Sequence, residues 1–88
     1  MKQYVSMMVR YDQQGRLSPV QIQWEDGRVF PIERVLDIRK RACTKAGRTG
    51  VRYTVRVQGK PKYLFLEEGR WFVEAKEQEG TQWDGMKK

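Results

Sequence analysis

Covalent and acid–base catalysis need a small set of side chains held close together, and this chain is poor in them. It has one cysteine, Cys43, and no histidine. Ser–His and Cys–His pairs are therefore excluded. Cys43 lies between Arg41 and Lys45, and cationic neighbours lower a thiol's pKa. A lone cysteine is far more often a small buried residue. The carboxylates of Glu25, Asp26, Glu67 and Glu68 fall in hairpin-turn sequence beside Gly27 and Gly69, where acids serve turn chemistry and solubility. One cysteine without histidine does not make a zinc site. The acidic turns have no calcium-loop spacing, and no Gly-rich phosphate loop precedes a helix. The expectation is a non-enzyme with no metal and no cofactor.

What the chain does have is charge. The stretch Arg34 to Arg56, RVLDIRKRACTKAGRTGVRYTVR, holds eight Lys or Arg against one acid, Asp37. Each flank balances, so the net charge of +7 comes entirely from these residues. Surfaces ordinarily mix both signs, and a one-sign stretch suits an anionic partner. Arg predominates over Lys, which favours bidentate contacts to phosphate or carboxylate. The candidate contacts are Arg39, Arg41, Lys45, Arg48, Arg52 and Arg56. Arg52 and Arg56 lie on one face of a strand, about 13 Å apart at a rise of ~3.3 Å per residue. Exposed aromatics would favour single-stranded nucleic acid, and Tyr4, Tyr11, Tyr63 and Trp83 are candidates. Only Tyr53 is interleaved with the basic run, and it is assigned to the core, so the stacking signal is weak and backbone-directed binding is expected.

The elements that must position these residues are strands. Residues 3–11 alternate, with Val5, Met7, Val9 and Tyr11 on one face. Asp12 to Arg16 is a turn. Val20, Ile22 and Trp24 alternate with Gln21, Gln23 and Glu25. Asp26-Gly27 predicts a type I′ hairpin turn. A third strand begins at Arg28 and runs into the basic stretch, with Phe30, Ile32, Leu36 and Ile38 sharing a parity. Strand is expected to about Arg41, then a loop or one helical turn near residues 41–46. Residues 51–58, VRYTVRVQ, give the cleanest alternation, with Val51, Tyr53, Val55 and Val57 facing the core. Gly59-Lys60-Pro61 is a turn, Lys62–Leu66 a strand, Glu67-Glu68-Gly69 a turn, and Arg70–Ala75 the last strand. Pro19 and Pro31 mark strand starts or edges. Residues 1–75 are thus expected to form one domain, with 76–88 a polar, flexible tail in which only Trp83 stands out.

Six short strands with Gly-containing turns define an all-β domain. At 88 residues a sandwich is hard to fill, and a small, strongly bent SH3-like barrel buries one face economically. The single cysteine fits a reducing cytoplasm. No signal peptide, lipidation motif or membrane-length apolar run is read, so a cytoplasmic protein without a membrane partner is expected.

The segments Trp24-Glu25-Asp26-Gly27-Arg28, Arg34-Val35-Leu36-Asp37, Gly50-Val51-Arg52-Tyr53-Thr54-Val55 and Arg70-Trp71-Phe72-Val73-Glu74 resemble a group of small uncharacterised bacterial single-domain proteins. The resemblance covers about residues 18–75 and implies an SH3-like fold, but it carries no site residues. The expected function is a binding module that holds the phosphate backbone of DNA or RNA on a basic β-hairpin face. The alternative is a protein-interaction module for an acidic partner or an edge-added peptide. The sequence leaves the oligomeric state open.

Overall fold

The computed structural model describes residues 2–42 and 49–74. Among them are seven strands and no helix: β1 (Lys2–Tyr11), β2 (Leu17–Gln23), β3 (Val29–Pro31), β4 (Arg34–Ala42), β5 (Thr49–Val57), β6 (Lys60–Glu67) and β7 (Arg70–Glu74). The all-β class is as expected. The strand count is seven rather than six, because the strand expected from Arg28 to Arg41 is broken after Pro31. Strand structure reaches Ala42, so no helical turn occupies 41–42. The remainder of that expected turn, with Cys43 and Lys45, lies outside the described residues, as does Arg48. So do the expected domain boundary at 75, the tail and Trp83. No helix among the described residues is long and apolar enough to cross a membrane.

The strands pair antiparallel in one sheet, ordered β3-β2-β1-β7-β6-β5-β4. The two edge strands are consecutive in the chain, joined by Ile32 and Glu33. Ile32 N donates to Val20 O on β2 at 2.9 Å, while Glu33 N donates to Arg56 O on β5 at 2.8 Å. In a flat sheet those edges would stand about 29 Å apart at ~4.8 Å per strand, which two residues cannot span. The sheet therefore curls into a half-barrel until its edges meet at one corner.

The turns follow their residues, with one correction. Only Gly27 in the Asp26-Gly27 pair has positive φ (94°). Gly27 N donates to Trp24 O, and Trp24 N to Arg28 O, which makes a three-residue loop closed by a left-handed glycine rather than a type I′ turn. The positive-φ pairs that a type I′ turn requires are instead Gln58-Gly59 (53° and 77°) and Glu68-Gly69 (54° and 78°). They make β5–β6 and β6–β7 tight hairpins. Lys60 and Pro61, expected in a turn, belong to β6.

Inside the curl, Ile22, Trp24, Phe30, Tyr53, Val55, Val57, Leu64, Trp71 and Val73 form the buried core. Lys62 is also buried on this face, opposite Val55. Burial pushes its amine below the usual lysine range, and the charge of Lys60 adds to the effect.

Three apolar residues that the alternation assigns to the core face are exposed. Register shifts at two bulges: Met8 pairs with Gln21 but Val9 with Pro19, and Val35 pairs with Val55 but Asp37 with Thr54. Val20 and Leu36 are the extra residues, and both are exposed. A bulge leaves its extra residue unpaired. Pro19, which is buried, pairs with Val9 on β1 but lies beyond the Gln21–Gln23 segment that β3 pairs with. Among the described residues β2 is therefore an edge at that position, where a proline is tolerated. Past the second bulge Ile38 regains the inward parity, opposite Tyr53. It is nevertheless 54% exposed, because β4 is the edge strand. Leu36→Ala and Ile38→Ala should each change unfolding free energy by no more than about 0.5 kcal/mol, as exposed substitutions do. A urea denaturation that shows losses of ~2 kcal/mol or more, the cost typical of core positions, would return them to the core.

Candidate nucleic-acid interface

The arginines meet on the outer face of the β4–β5 ladder. Val51, Tyr53, Val55 and Val57 turn inward, so Arg52, Thr54 and Arg56 turn outward. β4 brings its own set through the bulge at Leu36. Arg34 has even parity, Arg39 and Arg41 odd parity; in a regular strand they would point to opposite faces. The one extra residue reverses the alternation, so all three share the outer face. Arg34 then lies opposite Arg56, Arg39 opposite Arg52, and Arg41 opposite Gly50. Lys40 goes the other way, opposite Val51.

Two directly opposed arginine pairs are costly. Facing side chains on neighbouring strands have Cβ atoms about 5 Å apart, and like charges there are destabilising. Among the described residues an acid relieves the Arg39–Arg52 couple in part: Asp37 Oδ2 accepts from Arg39 Nε at 2.8 Å. That contact is exposed and contributes little. Arg52 Nε is enclosed, and among the described residues it has no hydrogen-bond acceptor. An unpaired buried donor is itself unfavourable. The face is therefore assembled against its own electrostatics, a state that a bound anion would relieve.

Of the six expected contacts, the structure brings together Arg39, Arg41, Arg52 and Arg56 and adds Arg34; Lys45 and Arg48 are outside the described residues. The sequence offers Tyr4 and Tyr63 as exposed aromatics but does not place them, or the phenylalanines, beside the arginines, because they come from other strands. Arg52 on β5 stands opposite Phe65 on β6, Phe65 opposite Phe72 on β7, and Phe72 opposite Tyr4 on β1. A single row thus crosses the outer face from Arg39 to Tyr4. Phe65 and Phe72 stack at 5.2 Å and 16°, and Tyr4 meets Phe72 edge-on at 5.6 Å. Arg41 lies over Phe65 at 4.8 Å and Lys2 over Phe72 at 4.7 Å. These cation–π contacts orient the charged heads while burying the rings. The signal that could have found the row is the outward parity of Tyr63, Phe65 and Phe72, once β6 and β7 are paired through their two-residue turns.

The candidate acids do structural work where the structure shows it. Asp26 Oδ1 accepts from Arg28 N at 3.0 Å, and its Oδ2 from Arg28 Nε at 2.7 Å. The backbone bond first, then the side-chain bond, holds this carboxyl below its usual range. Glu67 pairs with Lys2 at 3.0 Å. Among the described residues no group of three or more His, Cys, Asp or Glu is placed to hold a metal.

No family model, no curated protein and no solved structure matches the chain. The geometry of the site is therefore the basis for its functional reading.

Proposed function

We propose that the chain is a non-catalytic binding module that takes nucleic acid on the outer face of β4 and β5. The observation that carries this is the pair of opposed arginine couples, Arg34–Arg56 and Arg39–Arg52. Phosphates placed along the ladder would satisfy both couples at once, and Arg41 extends the same line. Arginine forks suit phosphate oxygens, and contacts of this kind position a backbone without reading sequence. The half-barrel with its basic outer wall is consistent with a small SH3-like barrel, and the single cysteine suits a reducing compartment such as the cytoplasm. The test is fluorescence anisotropy with labelled 20-nucleotide DNA and RNA at 20 mM salt. A saturable rise with protein concentration is expected; a flat trace for both would end the proposal.

A second reading rests on a different feature. Among the described residues β4 has a strand neighbour on one side only, and its exposed Leu36 and Ile38 would suit an extended acidic peptide added as an eighth strand. Its signature is a stoichiometric protein complex that survives nuclease treatment.

A further inference from the structure

Two tyrosines on the outer face have both the exposure and the neighbours of base-stacking platforms. Tyr4 is 44% exposed and Tyr63 42%. The guanidinium of Arg70 lies over the Tyr4 ring at 3.7 Å, and that of Arg52 over the Tyr63 ring at 4.6 Å. Each tyrosine is braced from beside or below by a buried ring: Tyr4 by Phe72 (5.6 Å, edge-on) and Tyr63 by Phe65 (6.4 Å, tilted). Phe72 and Phe65 are only 1% and 5% exposed. They hold the tyrosines in place and are not available to a ligand themselves.

We propose, resting on the nucleic-acid reading above, that the ligand is single-stranded and that its bases stack on Tyr4 and Tyr63. The arginine end of the face, on β4 and β5, holds phosphates; the tyrosine end, on β6 and β1, holds bases. From β4 to β1 the row crosses four strand spacings, about 19 Å at ~4.8 Å each, enough for a few nucleotides. Each tyrosine with its arginine makes a composite site. A base takes the exposed ring or the guanidinium plane, both of which stack bases. The arginine stays close enough to pair with the adjoining phosphate. A duplex can use only the phosphate half of this surface, because its bases are closed in their own stack. An acidic peptide likewise uses the charge and leaves the rings idle.

The experiment is an anisotropy titration at fixed salt with labelled dT20, a 20-base-pair duplex, and unlabelled polyglutamate as competitor. It is run on the parent chain and on Tyr4→Ala, Tyr63→Ala, Tyr4→Phe and Tyr63→Phe, each checked by thermal unfolding. The parent should bind the single strand about tenfold or more tighter than the duplex. Each alanine variant should lose about tenfold for the single strand, within the range that stacking on one ring supplies. It should lose nothing for the duplex, and the phenylalanine variants should stay within about twofold of the parent. Equal binding of strand and duplex, with neither tyrosine mattering, overturns the stacking proposal and leaves the phosphate reading intact. Competition by polyglutamate as effective as by unlabelled dT20 overturns it as well. Absence of binding to either nucleic acid removes both proposals. If an alanine variant unfolds, the parent's preference between strand and duplex still decides.

Discussion

Replacing Arg34, Arg39, Arg52 and Arg56 together by glutamine should weaken nucleic-acid binding about a hundredfold or more at 100 mM salt and flatten its salt dependence. Each phosphate contact on a single strand contributes about 0.7 to the slope of log K against log salt. Four lost contacts should therefore lower the slope by about 3. Stability should move in the other direction or not at all. Arg34 and Arg56 oppose one another across the ladder, so Arg56→Gln alone removes a repulsion typically worth about 0.2–1 kcal/mol. It should leave the melting temperature unchanged or raised. A surface kept only for solubility would not combine these outcomes: binding lost, fold unharmed. If Arg56→Gln instead lowers stability by ~2 kcal/mol, the arginine serves the fold, and the electrostatic argument for a ligand fails.

Phe72→Ala should cost about 3–5 kcal/mol, the range for deleting a buried aromatic side chain. A domain of this size has a total of roughly 4–13 kcal/mol at ~0.05–0.15 kcal/mol per residue, so the loss is a large fraction of the whole. Phe72 lies outside the half-barrel core. It belongs to a second apolar layer on the outer face, stacked on Phe65, meeting Tyr4 edge-on and covered by Lys2. The sheet is thus packed on both sides near β6 and β7, while near β4 its outer side carries charge. Chemical denaturation measures the loss directly. A change under 1 kcal/mol would mean that the outer layer is not packed, and with it would go the support that fixes Tyr4.

Much of this arrangement is legible in the residues. The alternation of Val51, Tyr53, Val55 and Val57 assigns the inward face of β5, and the pairing of 34–41 with 51–58 follows from the loop between them. Two kinds of information are not legible. A bulge adds one residue without changing composition, so a two-residue period read through Val20 or Leu36 continues on the wrong face. At Leu36 that error also hides the benefit, because the same insertion turns Arg34 to the side of Arg39 and Arg41. The second is lateral order. Tyr4, Phe72, Phe65, Arg52 and Arg39 are far apart in the chain and adjoin only through four strand pairings. No local pattern announces such a row. The type I′ turns are a smaller case: Asn-Gly and Asp-Gly are the stronger signals, yet Gln58 and Glu68 adopt positive φ because two-residue hairpins demand it.

The most direct test of the central claim is the salt dependence of binding by the parent chain. Five outward arginines, Arg34, Arg39, Arg41, Arg52 and Arg56, each with a phosphate, give an expected slope of about −3.5 in log K against log salt for a single strand at ~0.7 per contact. Anisotropy titrations of dT20 between 20 and 200 mM salt would measure it. A linear fall near that slope is the expected result; no binding at 20 mM, or affinity independent of salt, would contradict it.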